Sequence, residues 1–443
     1  MRMTDKIKIV YTWIGPRGPI WNTELPNILS FAAASEHAQP TSHKFWTDDM
    51  WSSIFSFANN EYEIYPACSI DVNDERPFIF PMSLTWRVAF ESYFCGDTGI
   101  MEFAHMPWHL VRLLREGQGY LFINHSVEAF MSHGYLSAMH GYFSGIHSIP
   151  LHKIIYLTGC INSKEIYDEY CLLNNIPDDK TERLTIVSYP SSQNIFRPNI
   201  QNDEDEPIYD TETVPEKLLL MWNRRYRPHR IALSLFLEQQ NLIERSLISF
   251  SDREIERPTA TFRNSVDAST VSYLFPDIQQ ETLNRFADKL PLVIDGETNI
   301  NQMCEDCGNI SRTYYQKTLV SVITETNFSQ SEVTLTEKSY KPVKEKHPFI
   351  IVGAPGAIKG MRDAGFQTFN EFWDETYDEI TSPPQRMAAI MQVIDDISKW
   401  DHDKILDFRR RVKPILDYNF NILKNSSPHN IAMKLSDIVR NNR

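Results

Sequence analysis

The chain has 443 residues, of which 42% are hydrophobic and 12% aromatic, and its formal net charge is −14. A chain of this length can bury large cores and is expected to divide into two or three domains. It contains no apolar run approaching the roughly 20 residues that a membrane-spanning helix needs, so we expect no membrane insertion. The negative charge repels nucleic acid at long range, although a local basic cleft can outweigh a global balance.

The N-terminal segment and the cysteines both bear on the cellular compartment. Residues 7–11 form a strand-like run with no signal-peptide core before it. Six cysteines in a chain this long give no disulfide framework, which suits a reducing compartment, and we predict a cytoplasmic protein. Cys304 and Cys307 form a lone C-x-x-C. A structural zinc site needs two further ligands, and none lies nearby, so two ordinary thiols are favoured over zinc.

The first half of the chain alternates strand and helix patterns. Residues 7–13 form a β-branched run that ends in a loop of Gly and Pro, as in the first unit of an open α/β sheet. Residues 102–115 have apolar residues at helical spacing, and strand patterns follow at 120–123, 153–157 and 184–189. Alternation of this kind predicts a parallel sheet.

Polar residues follow the strand predicted at 120–123. His125 and Glu128 lie in the loop and first helical turn after this strand. The carboxyl end of a parallel strand is where such folds place their chemistry, so both are candidate functional residues. Ser126 can also simply cap the helix, and a cap-and-surface role for His125 and Glu128 remains open.

The composition changes at residues 202–216. This segment is rich in Asp and Glu and contains Pro207 and Pro215, which predicts an interdomain linker.

A basic segment opens the second domain. A buried-type strand at 217–222 runs directly into Arg224, Arg225 and Arg227, which precede a predicted helix at 231–240. The guanidinium fork matches phosphate oxygens and a helix N-terminus favours negative charge, so the segment predicts an anion site. A solvated basic turn is the alternative, but a concentrated basic spot is unexpected in an acidic protein.

A second polar segment, residues 336–342, precedes an apolar run at 348–352 and a Gly/Pro turn at 353–356. Helix start, strand and loop in this order are the usual setting of a ligand site in an α/β domain. Lys338 and Lys341 would pair with a diphosphate, and Glu337 can accept two hydrogen bonds from ribose hydroxyl groups.

Several sequence blocks occur in order between about residues 217 and 390. They are Asn-Arg-Arg-x-Arg-Pro-His-Arg (223–230), Thr-Glu-Thr (324–326), Thr-Glu-Lys-Ser-Tyr-Lys-Pro (336–342), His-Pro-Phe-Ile-Ile-Val-Gly-Ala-Pro-Gly (347–356), Gly-Phe-x-Thr-Phe (365–369) and Trp-Asp-Glu-x-Tyr-Asp (373–378). Together they resemble the fucosyltransferase-like glycosyltransferases encoded by tailed phages and some bacteria. The ordered set is a specific signal, whereas the N-terminal half matches no motif of the family.

The resemblance implies a GT-B fold, in which two Rossmann-like α/β domains face each other across a cleft. Residues 1–201 would then bind the acceptor and 202–216 would link the domains. Residues 217–420 would bind a nucleotide-activated sugar, and residues 421–443 would form a helix that can return to the N-terminal domain.

The resemblance also implies residue roles and a reaction. Lys338 would contact the donor diphosphate, Glu337 the ribose, Arg224, Arg225 or Arg227 the phosphates, and Glu325 would lie near the sugar or ribose. The family has no D-x-D metal motif, so positive side chains would neutralise the leaving diphosphate, and no metal or cofactor is implied beside the nucleotide-sugar co-substrate. The reaction would be an inverting displacement at the anomeric carbon, with Glu128 as the first candidate for the base and His125 as the second.

The acceptor stays open. Phage relatives of this type suggest a hydroxymethylated pyrimidine in DNA, in the host cytoplasm, and a base in a duplex would have to be flipped out or reached through a groove. A saccharide or lipopolysaccharide acceptor is the main alternative, followed by a protein or small molecule. A different class is a non-catalytic nucleotide-binding protein that retains the GT-B shell.

Overall fold

The computed structural model describes residues 6–11, 14–15, 18–19, 62–66, 77–83, 108–126, 131–190, 192, 207–223, 225–254, 259–294, 312–426 and 429–441. The chain folds into two units. The first comprises Met1–Ser191 together with Ser427–Arg443, and the second comprises Ser192–Ser426.

The first unit is built on a six-stranded parallel sheet. Its strands are β1 (Ile7–Tyr11), β4 (Tyr62–Pro66), β5 (Phe78–Ser83), β6 (Gly119–His125), β7 (Ile154–Thr158) and β8 (Thr185–Ser188), while β2 (Ile14–Gly15) and β3 (Gly18–Pro19) form a separate short antiparallel pair. The spatial order is β4-β1-β5-β6-β7-β8. The chain therefore moves to one side of β1 and then returns to the other, which is the winding of a Rossmann-like sheet.

Helices accompany this sheet, and side chains pack on both of its faces. The helices are α1 (Trp108–Arg115), α2 (His133–Met139), the π-helical segment His140–Ile146, α3 (Ser163–Leu173), the 3₁₀ turns Leu151–Lys153 and Lys180–Glu182, and the C-terminal helix (His429–Asn441). Leu121 and Ile123 of β6 pack in the same apolar cluster as α1, α2 and α3. Tyr120 and Phe122, which alternate with them, pack in a second cluster with the C-terminal helix. Burial on both faces explains the continuous apolar run of β6.

The C-terminal helix completes the second of these clusters. Ile431, Ala432, Leu435 and Val439 are buried there with Ile7 and Ile9 of β1. The hydroxyl of Tyr62 donates a hydrogen bond to the carbonyl of Ala432, 2.5 Å away. This helix therefore belongs to the first unit, although the chain reaches it only after the second.

The second unit has a four-stranded parallel sheet. Its strands are β9 (Lys217–Trp222), β10 (Leu247–Ser249), β11 (Thr318–Thr324) and β12 (Phe349–Val352), in the order β10-β9-β11-β12. Its helices are α4 (Pro228–Gln239), α5 (Phe262–Ser265), α6 (Ala268–Ser272), α7 (Gln280–Asp288), α8 (Arg312–Gln316), α9 (Glu337–Lys344), α10 (Ala357–Asp363), the 3₁₀ turn Thr376–Glu379, α11 (Pro383–Ser398) and α12 (His402–Asn425).

The expected α/β class is confirmed, since both units are built on parallel sheets with helices. The strand predicted at 217–222 occurs at those residues, and the apolar run at 348–352 contains β12. The GT-B arrangement of the two units across a cleft stays a prediction. In the part of the chain that the structure describes, no helix has the length and apolar character needed to cross a membrane.

The acidic segment differs from its prediction as a linker. Its described residues belong to the second unit, where they contact α12. The guanidinium of Arg409 lies 4.7 Å from the ring centre of Tyr209 and donates to the carbonyl of Asp210. Arg410 lies 3.3 Å from the carboxylate of Glu212. Local composition could not show this, because the basic partners stand about 200 residues further along the chain.

Candidate functional site

The candidate site lies where the second sheet reverses its strand order. The chain leaves β9 towards β10 on one side and later enters β11 on the other side. At such a reversal the loops after the two central strands diverge and leave a crevice at the carboxyl ends of the strands. β9 ends at Trp222 and β11 ends at Thr324. The basic segment and Glu325, which the sequence analysis singled out separately, therefore border one crevice.

Two buried side chains fasten the ends of β9 and β11 together. The hydroxyl of Thr324 donates to the side-chain carbonyl of Asn223, 2.6 Å away. Arg230, which is 4% exposed, donates to the carbonyls of Thr324 at 3.0 Å, Glu325 at 3.4 Å and Arg225 at 3.4 Å. Burial lowers the pKa of Arg230 to about 10, so it remains charged at neutral pH. Arg230 is thus a structural clamp inside the basic segment.

His229 adds a second tie between α4 and the end of β11. Its Nε2 lies 2.9 Å from the carbonyl of Glu325, and because a carbonyl only accepts, this nitrogen carries the proton. The imidazole stacks on Phe328 with a centroid distance of 5.2 Å. Burial, with the nearby charge of Arg230, lowers the pKa of His229 to about 3, so the ring is neutral at physiological pH.

Glu325 holds the start of α9. Its carboxylate accepts hydrogen bonds from the amide of Thr336 at 2.9 Å, the hydroxyl of Thr336 at 2.7 Å and the hydroxyl of Ser339 at 2.6 Å. Glu325 is 1% exposed, and both of its carboxylate oxygens are engaged. This geometry does not support the predicted contact of Glu325 with a sugar or ribose, and it assigns Glu325 to positioning the helix that follows.

Glu337 and Lys338 form the accessible part of that helix start. Their side chains are 23% and 29% exposed, and Nζ of Lys338 lies 2.9 Å from a carboxylate oxygen of Glu337. Burial alone would raise the pKa of Glu337, but Lys338 and Lys341 outweigh it and lower the pKa to about 2. A carboxylate next to two ammonium groups is thus present at the start of α9. The predicted contacts of Glu337, Lys338 and Lys341 with a nucleotide stay predictions.

Arg225 and Arg227 line the other border of the crevice. Both are half-buried, and Arg227 is the N-cap residue of α4, with Pro228 as the first helical residue. The side chain of Arg227 makes no hydrogen bond to the described part of the chain that would cap the helix. Arg225 and Arg227 lower the pKa of Arg230 by like-charge repulsion, whereas Glu325 and Glu337 raise it. The charges of Arg225, Arg227, Glu325 and Glu337 therefore all act on Arg230, which places them around one site. Arg224 lies outside the described residues.

The helix start that follows the Gly/Pro turn at 353–356 is capped by a side chain of the protein. Gly356 has a left-handed backbone, φ 89°, and precedes α10. The carboxylate of Asp378 accepts hydrogen bonds from the first amides of α10, those of Ile358 and Lys359, each at 2.9 Å. Burial raises the pKa of Asp378 although these bonds oppose the shift. The Trp-Asp-Glu-x-Tyr-Asp block thus caps a helix, and α10 presents no open anion site.

In the first unit, His125 is enclosed. It is 1% exposed, and its Nδ1 lies 3.0 Å from the hydroxyl of Tyr156 and 3.1 Å from that of Tyr135. Burial lowers the pKa of His125 to about 3, which makes it a weak base at neutral pH. The geometry therefore favours a structural role for His125 over the predicted catalytic one. Glu128 lies outside the described residues and stays a prediction.

Cys304 and Cys307 lie outside the described residues. Within the described ranges, no group of three or more His, Cys, Asp or Glu side chains is placed to hold a metal ion.

Comparison with known proteins gives limited information. No model of a protein family and no curated protein matches the chain. Among solved structures, the chain is similar to the crystal structure of an α,α-trehalose 6-phosphate synthase from Burkholderia multivorans, with 9% sequence identity and a TM-score of 0.41 over 93% of this chain and 78% of that one. At this identity and TM-score the likeness identifies neither a fold family nor an activity.

The first prediction concerns the anchoring of α9. Replacing Glu325 by Ala should lower the free energy of unfolding by about 3 kcal/mol, because the donors of half-buried Thr336 and buried Ser339 lose a charged acceptor. Urea unfolding measures the change, with Glu371→Ala as the control because Glu371 is exposed. Equal stability of the two variants would contradict the anchoring role.

The second prediction concerns pH. The pKa of Glu337 in the folded protein, about 2, is below its ordinary value of 4.5, so its charge stabilises the fold above that value and the stabilisation is lost as pH falls towards 2. Between about pH 6 and about pH 3, the Glu337→Gln variant should therefore lose less stability than the wild type in urea unfolding. The exposed Glu379→Gln serves as the control, and an identical loss in all three proteins would refute the prediction.

Proposed function

We propose that the protein is a glycosyltransferase and that its second unit binds a nucleotide-sugar donor. The observation that carries the proposal is the meeting of two positively charged helix starts at the reversal of the second sheet. Arg225 and Arg227 stand at the start of α4, and Lys338 stands at the start of α9. Helix N-termini and guanidinium forks both favour phosphate oxygens, and their pairing suits a diphosphate.

The residue roles follow from this arrangement and from the family that the sequence blocks resemble. Arg225 and Arg227, with Arg224, hold the phosphates, and Lys338 and Lys341 add positive charge from α9. Glu337 accepts hydrogen bonds from the ribose hydroxyl groups. The positive side chains stabilise the negative charge that develops on the leaving nucleoside diphosphate, so the proposal requires no metal ion or other cofactor.

The transfer is proposed to invert the anomeric carbon. The acceptor hydroxyl attacks this carbon, the bond to the diphosphate breaks, and a base takes the hydroxyl proton. Glu128 is the proposed base because it follows β6. The burial of His125, the second candidate for the base, favours Glu128 for this role. The proposed acceptor is a hydroxymethylated pyrimidine in phage DNA, which rests on the resemblance to phage enzymes, and a saccharide or lipopolysaccharide acceptor is the alternative.

A release assay tests the function. Nucleotide sugars are incubated one at a time with hydroxymethylated DNA, unmodified DNA or no acceptor, with and without a chelator, and free nucleoside diphosphate is measured. We expect release that hydroxymethylated DNA stimulates and that the chelator does not suppress. Release that DNA does not stimulate would favour a saccharide acceptor over DNA. Binding of nucleotide without release from any donor would refute the enzyme and favour a nucleotide-binding protein.

The proposed base has its own test. Glu128→Gln should abolish release while leaving the dissociation constant of the nucleotide sugar unchanged, because the amide keeps the shape but cannot accept the proton. Titration calorimetry measures the binding, and Glu165→Gln, on the first turn of α3, is the control for the same substitution elsewhere in the unit. A Glu128→Gln variant that still turned over would rule out this base.

A further inference from the structure

A cavity of about 310 Å³ lies beside the start of α4. Its lining residues come from the segments that follow β9 and β10 and from the short helices α5 and α6. Arg225 and Arg227 are among them. The volume is at the lower end of the range of about 300 to 1,000 Å³ for small-molecule sites, so the cavity suits one small group better than a whole nucleotide sugar.

The cavity continues the donor site along the carboxyl edge of the sheet. The amide of Tyr226 donates to a carboxylate oxygen of Glu254 at 3.0 Å, and the Tyr226 hydroxyl donates to the carbonyl of Ser251 at 3.1 Å. These bonds join the segment after β9 to the segment after β10. Since β10 and β11 flank β9 on opposite sides, the cavity and the start of α9 lie on opposite sides of the basic segment.

The chemistry of the lining fits a polyhydroxylated group. Glu254 contributes a carboxylate, and Ile231 and Val266 contribute apolar surface. The hydroxyl groups of Ser265 and Thr270 donate to Asn264 and Asp267, so towards a ligand their oxygens act as acceptors. Carboxylates and hydroxyl groups bind the hydroxyl groups of a sugar, while its C–H faces can rest on small aliphatic side chains. The guanidinium groups at one end would meet the phosphate to which such a sugar is attached.

A nucleobase fits the same lining less well. Bases gain affinity mainly by stacking on an exposed aromatic face. Among the described residues of this lining, Tyr226 is the aromatic one. Its ring already stacks on Phe250 with a centroid distance of 5.7 Å and meets Phe262 edge-on at 5.8 Å. Its hydroxyl is also engaged by Ser251. The Tyr226 ring is therefore packed against the protein and offers no open face on which a nucleobase could stack.

We infer that this cavity binds the glycosyl group of the donor, an inference that rests on the proposed function. The nucleoside then lies on the α9 side, the diphosphate lies between Arg225, Arg227 and Lys338, and the sugar enters the cavity towards Glu254. The shape and polar groups of the cavity select the sugar, whereas the α9 side selects the nucleoside.

Filling the cavity tests the inference. Ala260→Leu places a bulky apolar side chain in the lining without removing a charge, and Ala364→Leu makes the same change at an exposed position outside it. Titration calorimetry uses UDP with UDP-glucose and GDP with GDP-mannose, choosing the pair that the wild type binds. Ala260→Leu should weaken the binding of the nucleotide sugar by about tenfold or more and leave the affinity for the nucleoside diphosphate unchanged. The reason is that the hydrogen bonds lost are those made to the sugar.

A second variant covers the case in which Ala260→Leu does not fold. Glu254→Gln keeps an oxygen to accept the amide of Tyr226 but removes the charge, and it should produce the same selective loss. Equal weakening of the diphosphate and the nucleotide sugar would place the nucleoside in the cavity and overturn the inference, as would no change in either affinity. A wild type that binds neither pair and none of the nucleotide sugars used in the release assay would instead refute the proposed function.

Discussion

The architecture of the second unit depends on the burial of one carboxylate, that of Glu325. An ionised carboxylate inside a protein is tolerated only when hydrogen bonds replace the water it has lost. Here the replacement comes from Thr336 and Ser339, which fixes the start of α9 against the end of β11. The carbonyl of the same residue receives His229 and Arg230 of α4. One residue therefore joins the two helices whose first turns carry the proposed donor site.

Three helices of this unit differ in the side chains that interact with their first turns. The first amides of α10 are satisfied by Asp378, and the N-cap of α9 is oriented by Glu325 through Thr336. At α4, the N-cap is Arg227, a cation at the end of the helix where an anion would normally be favoured. The guanidinium of Arg227 and the positive end of the helix dipole repel each other. This arrangement is understandable if an anionic ligand completes the site.

The sequence predicted the elements of the site better than the roles of their residues. The strand at 217–222 was recognisable because apolar residues follow one another without interruption from Leu218 to Trp222. The basic segment and the Glu337–Lys338 pair stand out by composition alone. Their meeting could not be derived from spacing, since about a hundred residues separate them and only the order of the strands brings them together.

Roles are hard to predict where a local pattern has two physical meanings. A Glu directly after a strand looks the same whether it binds a ligand or caps the next helix, and the partners of Glu325 decide the matter. His125 also follows a strand, but its neighbours Tyr135 and Tyr156 come from elements whose packing was not predictable. Asn223, Arg230 and Thr336 were missed as organising residues because each acts through a contact distant in sequence.

The C-terminal helix has a consequence for how the protein is made. Tyr120 and Phe122 belong to the apolar cluster that this helix completes with Ile431 and Leu435. When only the strands of the first unit have been synthesised, this apolar cluster therefore still lacks the side chains that the C-terminal helix contributes to it. The second unit, which is contiguous in the chain, can finish folding earlier. The order of synthesis is thus the reverse of the order in which the two cores can close.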